Sequence, residues 1–297
     1  MRARRWMLMG VAAAMLCGPA TGARKDAELV VRGDGIYAGQ INKTPARLRL
    51  TPWAPSAPTL NNDFVERAGL HAGLFGFAVK VGPVKVRGDT SVARIGFGKY
   101  SYRRRVVWFE RRYDAGADGA LGPGGLPADV IRFELRPAQG NERTVALPMI
   151  ENHFRPTYAR IETGKRNIIV LFDPQHETTV ATAGAGAALA EANGGALSGA
   201  TGSAEVVFGI RRPVRTLRLD RPLAIGPLSI GAVAVRIGDN GSVAGVKDED
   251  ADPEEVVVSA KGGSERRDVV IVGRDHLAKC SSIVFDKKAK QIRLSCV

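Results

Sequence analysis

Chemically reactive side chains are scarce in this chain of 297 residues, which has 3 cysteines and 4 histidines. His71, His153, His176 and His276 have no histidine partner three or four residues away, the spacing that aims two imidazoles at one metal. No metal site and no cofactor are therefore expected. No G-x-S-x-G elbow is present, so the usual serine-hydrolase turn is missing. A Ser-His-Asp arrangement around Asp173 and His176 stays open. Gly184–Gly186 and Gly194-Gly195 read as helix flanks rather than phosphate loops. Aromatic residues make up only 6% of the chain, and long apolar runs are missing as well. The run from Trp6 to Leu16 is far shorter than the roughly 20 residues a bilayer-spanning helix requires.

That short run has its own meaning. Arg2, Arg4 and Arg5 precede it, and Thr21-Gly22-Ala23 follows with small residues at −3 and −1. This is the pattern of a cleavable secretory leader over residues 1–23, cut near Ala23. The expected location is the periplasm or the exterior. Cleavage removes three arginines and no acid, lowering the net charge from +13 to +10. A basic exported protein meets anionic lipid and polysaccharide first. An anionic envelope surface is thus an expected partner, and nucleic acid is not. The segment from Tyr100 to Tyr113 interleaves cations and aromatics. It reads as a strand pair whose long cationic side chains cover an apolar face.

Export also bears on the cysteines. Cys280 and Cys296 remain after cleavage, and an oxidising compartment favours a disulfide between them. Ser281–Asp286 and Gln291–Ser295 read as a hairpin turning at Lys287-Lys288-Ala289. Folding about Lys288 pairs 284 with 292, 282 with 294 and 280 with 296. The cysteines then face each other at the open end, with a free thiol pair as the alternative.

Between frequent Gly and Pro, short runs rich in Val, Ile and Leu recur: Ala46–Leu50, Phe77–Val86, Arg105–Phe109, Val130–Leu135, Ile168–Phe172 and Val269–Val272. They predict a mostly-β fold. Two short helices are expected, over Asn61–Ala68 with Asn61 or Asn62 as cap, and over Thr182–Ala192 ending at Asn193-Gly194-Gly195. The acidic run from Asp248 to Glu255 lacks EF-hand spacing and reads as a solvated loop. Calcium binding there is left open.

One order of events occurs twice. Strand Arg47–Leu50 leads into Thr51-Pro52-Trp53-Ala54, then Thr59 and a short helix, and closes at Ala120–Leu126. Strand Ile169–Phe172 leads into Asp173-Pro174-Gln175-His176, then Thr179 and a helix, and closes at Ile271–Leu277. Both closings read apolar-apolar-Gly-x-x-x-Leu. Duplication of a β unit follows, with a join near Pro148–Thr157.

On these residues the chain resembles the bilobed pepsin/retropepsin-like aspartic proteases. The segment Gly39–Ala46 is similar to that family's opening hairpin. The resemblance implies two similar lobes, residues 24–150 and 151–297, around a central cleft. Asp173 takes the place of one catalytic aspartate, and Thr51 stands where the other belongs. Trp53 and His176 are candidate cleft residues. Two carboxylates sharing one proton drive aspartic proteolysis, and a threonine hydroxyl cannot carry that charge. The expected function is therefore an impaired or inactive relative that binds polypeptides or envelope proteins in its cleft, as a monomer. An endopeptidase relying on Asp173, and a structural module whose cleft Trp53 fills, are the alternatives.

Overall fold

The computed structural model describes residues 28–74, 76–152, 154–239, 241–243, 245–248 and 268–297. Residues 1–23, where a leader is expected, and all but the first residue of the acidic run lie outside the described residues. The fold is mostly β, as the alternating patterns predict. Up to residue 150 the elements are β1 (Glu28–Val31), β2 (Ile36–Ile41), β3 (Thr44–Leu50), β4 (Thr59–Leu60), α1 (Asn62–Arg67), β5 (Gly76–Val81), β6 (Val84–Phe97), β7 (Tyr100–Phe109), β8 (Gly119–Leu121), β9 (Val130–Glu134) and β10 (Arg143–Ile150). Next come β11 (Tyr158–Thr163), β12 (Arg166–Phe172), β13 (Val180–Ala181), α2 (Ala183–Asn193), β14 (Ala196–Val207), β15 (Ile210–Ile225) and β16 (Leu228–Arg236). The chain closes with β17 (Lys247–Asp248), β18 (Val269–Val272), α3 (Arg274–Leu277), β19 (Cys280–Asp286) and β20 (Gln291–Cys296).

The strands form two sheets, ordered β2-β3-β8-β4-β7-β6-β5, with β2 also paired antiparallel to β6, and β1-β9-β19-β20-β10-β11-β12-β18-β13-β16-β15-β14-β17. One pattern of pairing occurs twice. β3 runs parallel to β8, while β4 is antiparallel to β8 and parallel to β7. β12 runs parallel to β18, while β13 is antiparallel to β18 and parallel to β16. Matched backbone bonds accompany this. Thr51 N donates to Leu121 O at 3.1 Å, and Asp173 N to Val272 O at 2.9 Å. Val107 N donates to Pro58 O at 2.9 Å, and Ala234 N to Thr179 O at 3.0 Å. Thr179 therefore matches Pro58, not Thr59. The second connection is one residue shorter, so the two threonines line up in sequence but not in space. Between the halves, β9 and β10 flank the β19–β20 hairpin in one sheet.

Local expectations fare unevenly. The β2–β3 hairpin turns through Asn42 and Lys43, at φ 47° and 73°. Two consecutive positive φ values suit the right-handed strand twist, so Lys43 does the work more often given to glycine. Phe77–Val86 is not one strand. Gly82 (φ +62°) and Pro83 break it into the β5–β6 hairpin. Helix α1 begins after Asn61, whose side chain makes no cap. Its amide instead donates to Asp114 O and Ala117 O, both at 2.7 Å, and its oxygen accepts from Tyr113 N at 2.8 Å. Thr182 does cap α2, accepting from Ala185 N at 3.3 Å.

The disulfide between Cys280 and Cys296 is present. The hairpin that carries it is shifted by one residue from the sequence reading. Ser282 faces Ser295 and Val284 faces Arg293, and an irregularity between Cys280 and Ser282 restores Cys280 opposite Cys296. The turn spans Lys287–Lys290, with Lys290 at φ 51°.

Candidate functional site

The two equivalent strands β3 and β12 deliver Thr51 and Asp173 to matching positions, directly after Leu50 and Phe172. Both are buried, at 3% and 4% exposure. Their side chains are served differently. The Thr51 hydroxyl has no hydrogen-bond partner. Asp173 Oδ1 accepts from Gln175 N at 3.0 Å, and its Oδ2 lies 3.6 Å from His176 Nδ1. An aspartate that bonds the amide two residues on is a turn-former. Here it is also the counter-ion of a histidine. The His176 pKa is raised, chiefly by its contact with the Asp173 carboxylate and against the effect of burial.

This pair has a pH signature. The pKa of folded His176 lies above its ordinary value. The protonated pair therefore stabilises the fold fully below about pH 6.5. That contribution is lost as pH rises through the raised pKa. Asp173→Asn is expected to bring the imidazole titration, followed by NMR, down toward the ordinary histidine value. An unchanged midpoint would rule out the ion pair.

Asp173 faces the first half. Tyr113 has its pKa pushed up by burial, and then by the charges of Asp173 and Asp114. Tyr113 follows β7 and is held by the Asn61 side chain. Across from it lies the turn of the β14–β15 hairpin. Phe208 in that turn is 7% exposed. Its ring centroid is 4.6 Å from Phe109 and 5.7 Å from Tyr113. Val206, Phe208 and Ile210 form one apolar cluster with Ala57, Val81, Val86, Val107 and Phe109 of the first half. Phe208 has φ 60°. A bulky residue in the left-handed region is strained by about 1–3 kcal/mol, and the aromatic packing offsets that cost.

The opposite hairpin makes the reciprocal contact. At Gly82, in the β5–β6 turn, an added Cβ would lie 2.5 Å from Asp239 Oδ2 and 2.7 Å from Arg212 Nε. Asp239 is itself paired with Arg212 and with buried Arg236. Each half thus inserts a hairpin turn into the other. Asp173, His176 and Tyr113 lie beside the Phe208 contact.

Trp53 is half-buried elsewhere, packed with Tyr158, Leu171 and Ile271 of the second half. It belongs to the seam between the halves on the other face of β12, away from the face of Ile168, Val170 and Phe172.

Sequence reasoning passed over a second polar cluster. Thr179 is fully buried. Its hydroxyl donates to Asp275 Oδ1 at 2.7 Å and lies 2.8 Å from His276 Nδ1. Gly273 N donates back to that hydroxyl at 3.0 Å. A threonine, a histidine and an aspartate meet here, but the hydroxyl is sealed from solvent. The cluster fastens α3 to the start of β13. The signal was a threonine at a buried strand's start and a Gly-x-Asp-His turn, which the antiparallel β13–β18 pairing brings together.

No protein-family model matches this chain, and no curated protein matches it.

Proposed function

We propose that this is an exported, non-catalytic relative of the pepsin/retropepsin-like proteases, and that it binds extended segments of other envelope polypeptides where its two halves meet. One observation carries the reading. Thr51 occupies the position equivalent to Asp173, on the same backbone hydrogen bond, so a second carboxylate is missing from the pair. A single carboxylate already engaged by Gln175 N and His176 supplies neither the shared proton nor the activated water that dyad chemistry needs. Groups that act as one unit lose nearly all their effect when one is removed. The repeated strand pairing supports the family reading, and the paired cysteines suit an oxidising compartment. A bound segment would add to strand edges and place alternate side chains in pockets.

A second reading has its own support. The Phe208 turn fills the space between the halves with apolar side chains, and the Gly82 turn closes on the Asp239–Arg212 ion pair, as in a purely structural module. The two readings differ in one titration. A fluorescently labelled unfolded polypeptide is added to the purified chain and to Phe208→Ala. On the binding reading, freeing the β14–β15 turn raises the competent fraction and tightens binding at least about fivefold. No binding by either protein favours the structural module and sinks the first reading.

A further inference from the structure

The outer face of the β3-β2-β6-β7 segment carries cations in an arrangement that folding alone does not favour. Register places Arg94 directly opposite Arg103, and Val92 opposite Arg105. Asn42 N donates to Arg94 O at 2.9 Å, which brings the turn residue Lys43 beside the same row. Two rows along, Arg47 pairs with Ala38, next to Lys99 in the β6–β7 turn. Lys43, Arg47, Arg94, Lys99 and Arg103 are all exposed. None of these five has an ion-pair partner among the described residues. The nearest carboxylate, Asp118, accepts from Arg47 N and is paired with Arg67.

Like charges directly opposite each other on paired strands destabilise a sheet. A cation face without carboxylates, built around such a pair, is therefore a standing cost. The other facing pair of cations, Lys80 and Lys85, differs in setting. Asp89 lies along the same strand face, and Glu110 Oε1 accepts from Arg87 N at 3.2 Å. Acids interleave there, and on the Arg94 face they do not.

We infer that this face docks on an anionic lipid surface. Charge complementarity sets the sign of the partner, and shape sets its kind. The cations are spread in two dimensions over four strands, about 14 Å across, and line no groove that would track a polymer. Val92 stands 45% exposed among them. An exposed apolar side chain among cations suits a headgroup interface. Basic side chains near such a surface each contribute, and the attraction fades within a Debye length. The inference does not depend on how the seam between the halves is used.

The test is co-sedimentation of the full chain with vesicles of phosphatidylcholine containing 30% phosphatidylglycerol. Vesicles of pure phosphatidylcholine and soluble dextran sulfate serve as comparisons. Binding to the anionic vesicles is expected, with loss in roughly 0.5 M salt. Arg94→Glu and Arg103→Glu should each weaken it about 30-fold, the factor for two charges. Each should melt no lower than the parent, because the facing like charges become an opposite pair. Lys80→Glu should change binding far less. Three results would overturn the inference: no vesicle binding, equal loss in Lys80→Glu, or binding to dextran sulfate alone.

Discussion

Gly122→Ala is expected to destabilise the fold by about 3 kcal/mol or more. Gly122 has φ −87° and ψ 166°, a backbone conformation open to any residue. Space alone excludes a side chain. A Cβ there would lie 1.9 Å from Ala54 O, and Gly122 N already donates to Pro55 O at 3.3 Å. The obstacle is backbone, which cannot rotate aside. The strand β8 and the loop after Thr51 must pass this closely for β4 to pair with β8. The second half repeats the constraint. Gly273, at φ −92°, would put a Cβ 2.6 Å from the Thr178 carbonyl carbon, and Gly273→Ala should behave alike. Urea unfolding of both variants measures the effect. A loss below about 1 kcal/mol in each would mean that the close approach does not hold the two connections together.

The second large effect concerns the last hairpin. Changing both Cys280 and Cys296 to serine should cost about 3 kcal/mol, the chain-entropy value for a loop of this size, since the sequence separation is 16. The hairpin lies between β9 and β10, so weakening it loosens the one sheet that both halves share. Both cysteines are buried, at 0% and 1% exposure, so serine would also bury two hydroxyls. Unfolding the parent with and without reductant separates these causes. Reduction should reproduce most of the loss, and a reduced protein as stable as the oxidised one would contradict the expectation.

Much of this architecture could be read in the chain because it rests on short-range rules. Alternating Val, Ile and Leu gave the strands, Thr182 and Gly194 bracketed the second helix, and the order of motifs pointed to the strand pairing that occurs twice. What failed depended on contacts distant in sequence. Asn61 looked like a helix cap, but its amide is spent on the loop of Asp114 and Ala117. Thr59 and Thr179 seemed equivalent until pairing showed one connection a residue shorter. The β19–β20 register slipped by one because a local irregularity beside Cys280 has no signature in composition. Phe77–Val86 hid a turn, although Gly82-Pro83 signalled one.

The site was legible in part. Asp173 and Thr51 followed from position after a buried strand, and His176 from its closeness to Asp173. Tyr113 and Phe208 were not, because Tyr113 follows the first half's longest hairpin and Phe208 sits at the turn of the second's. Nothing local marks Phe208 as a residue that crosses between halves. Its positive φ and its aromatic contacts emerge only when β14 and β15 are seen against β7. Trp53 was read as a cleft residue from its place after Thr51, and it packs at the seam against Tyr158, Leu171 and Ile271.

The central claim is that the chain, with Thr51 at the position equivalent to Asp173, does not perform aspartic proteolysis. The most direct measurement is the rate at which the purified protein cleaves an unfolded polypeptide between pH 3 and 7, with Asp173→Asn in parallel. The account predicts no cleavage above background by either protein, at any pH in that range. Cleavage by the parent that disappears in Asp173→Asn would contradict it.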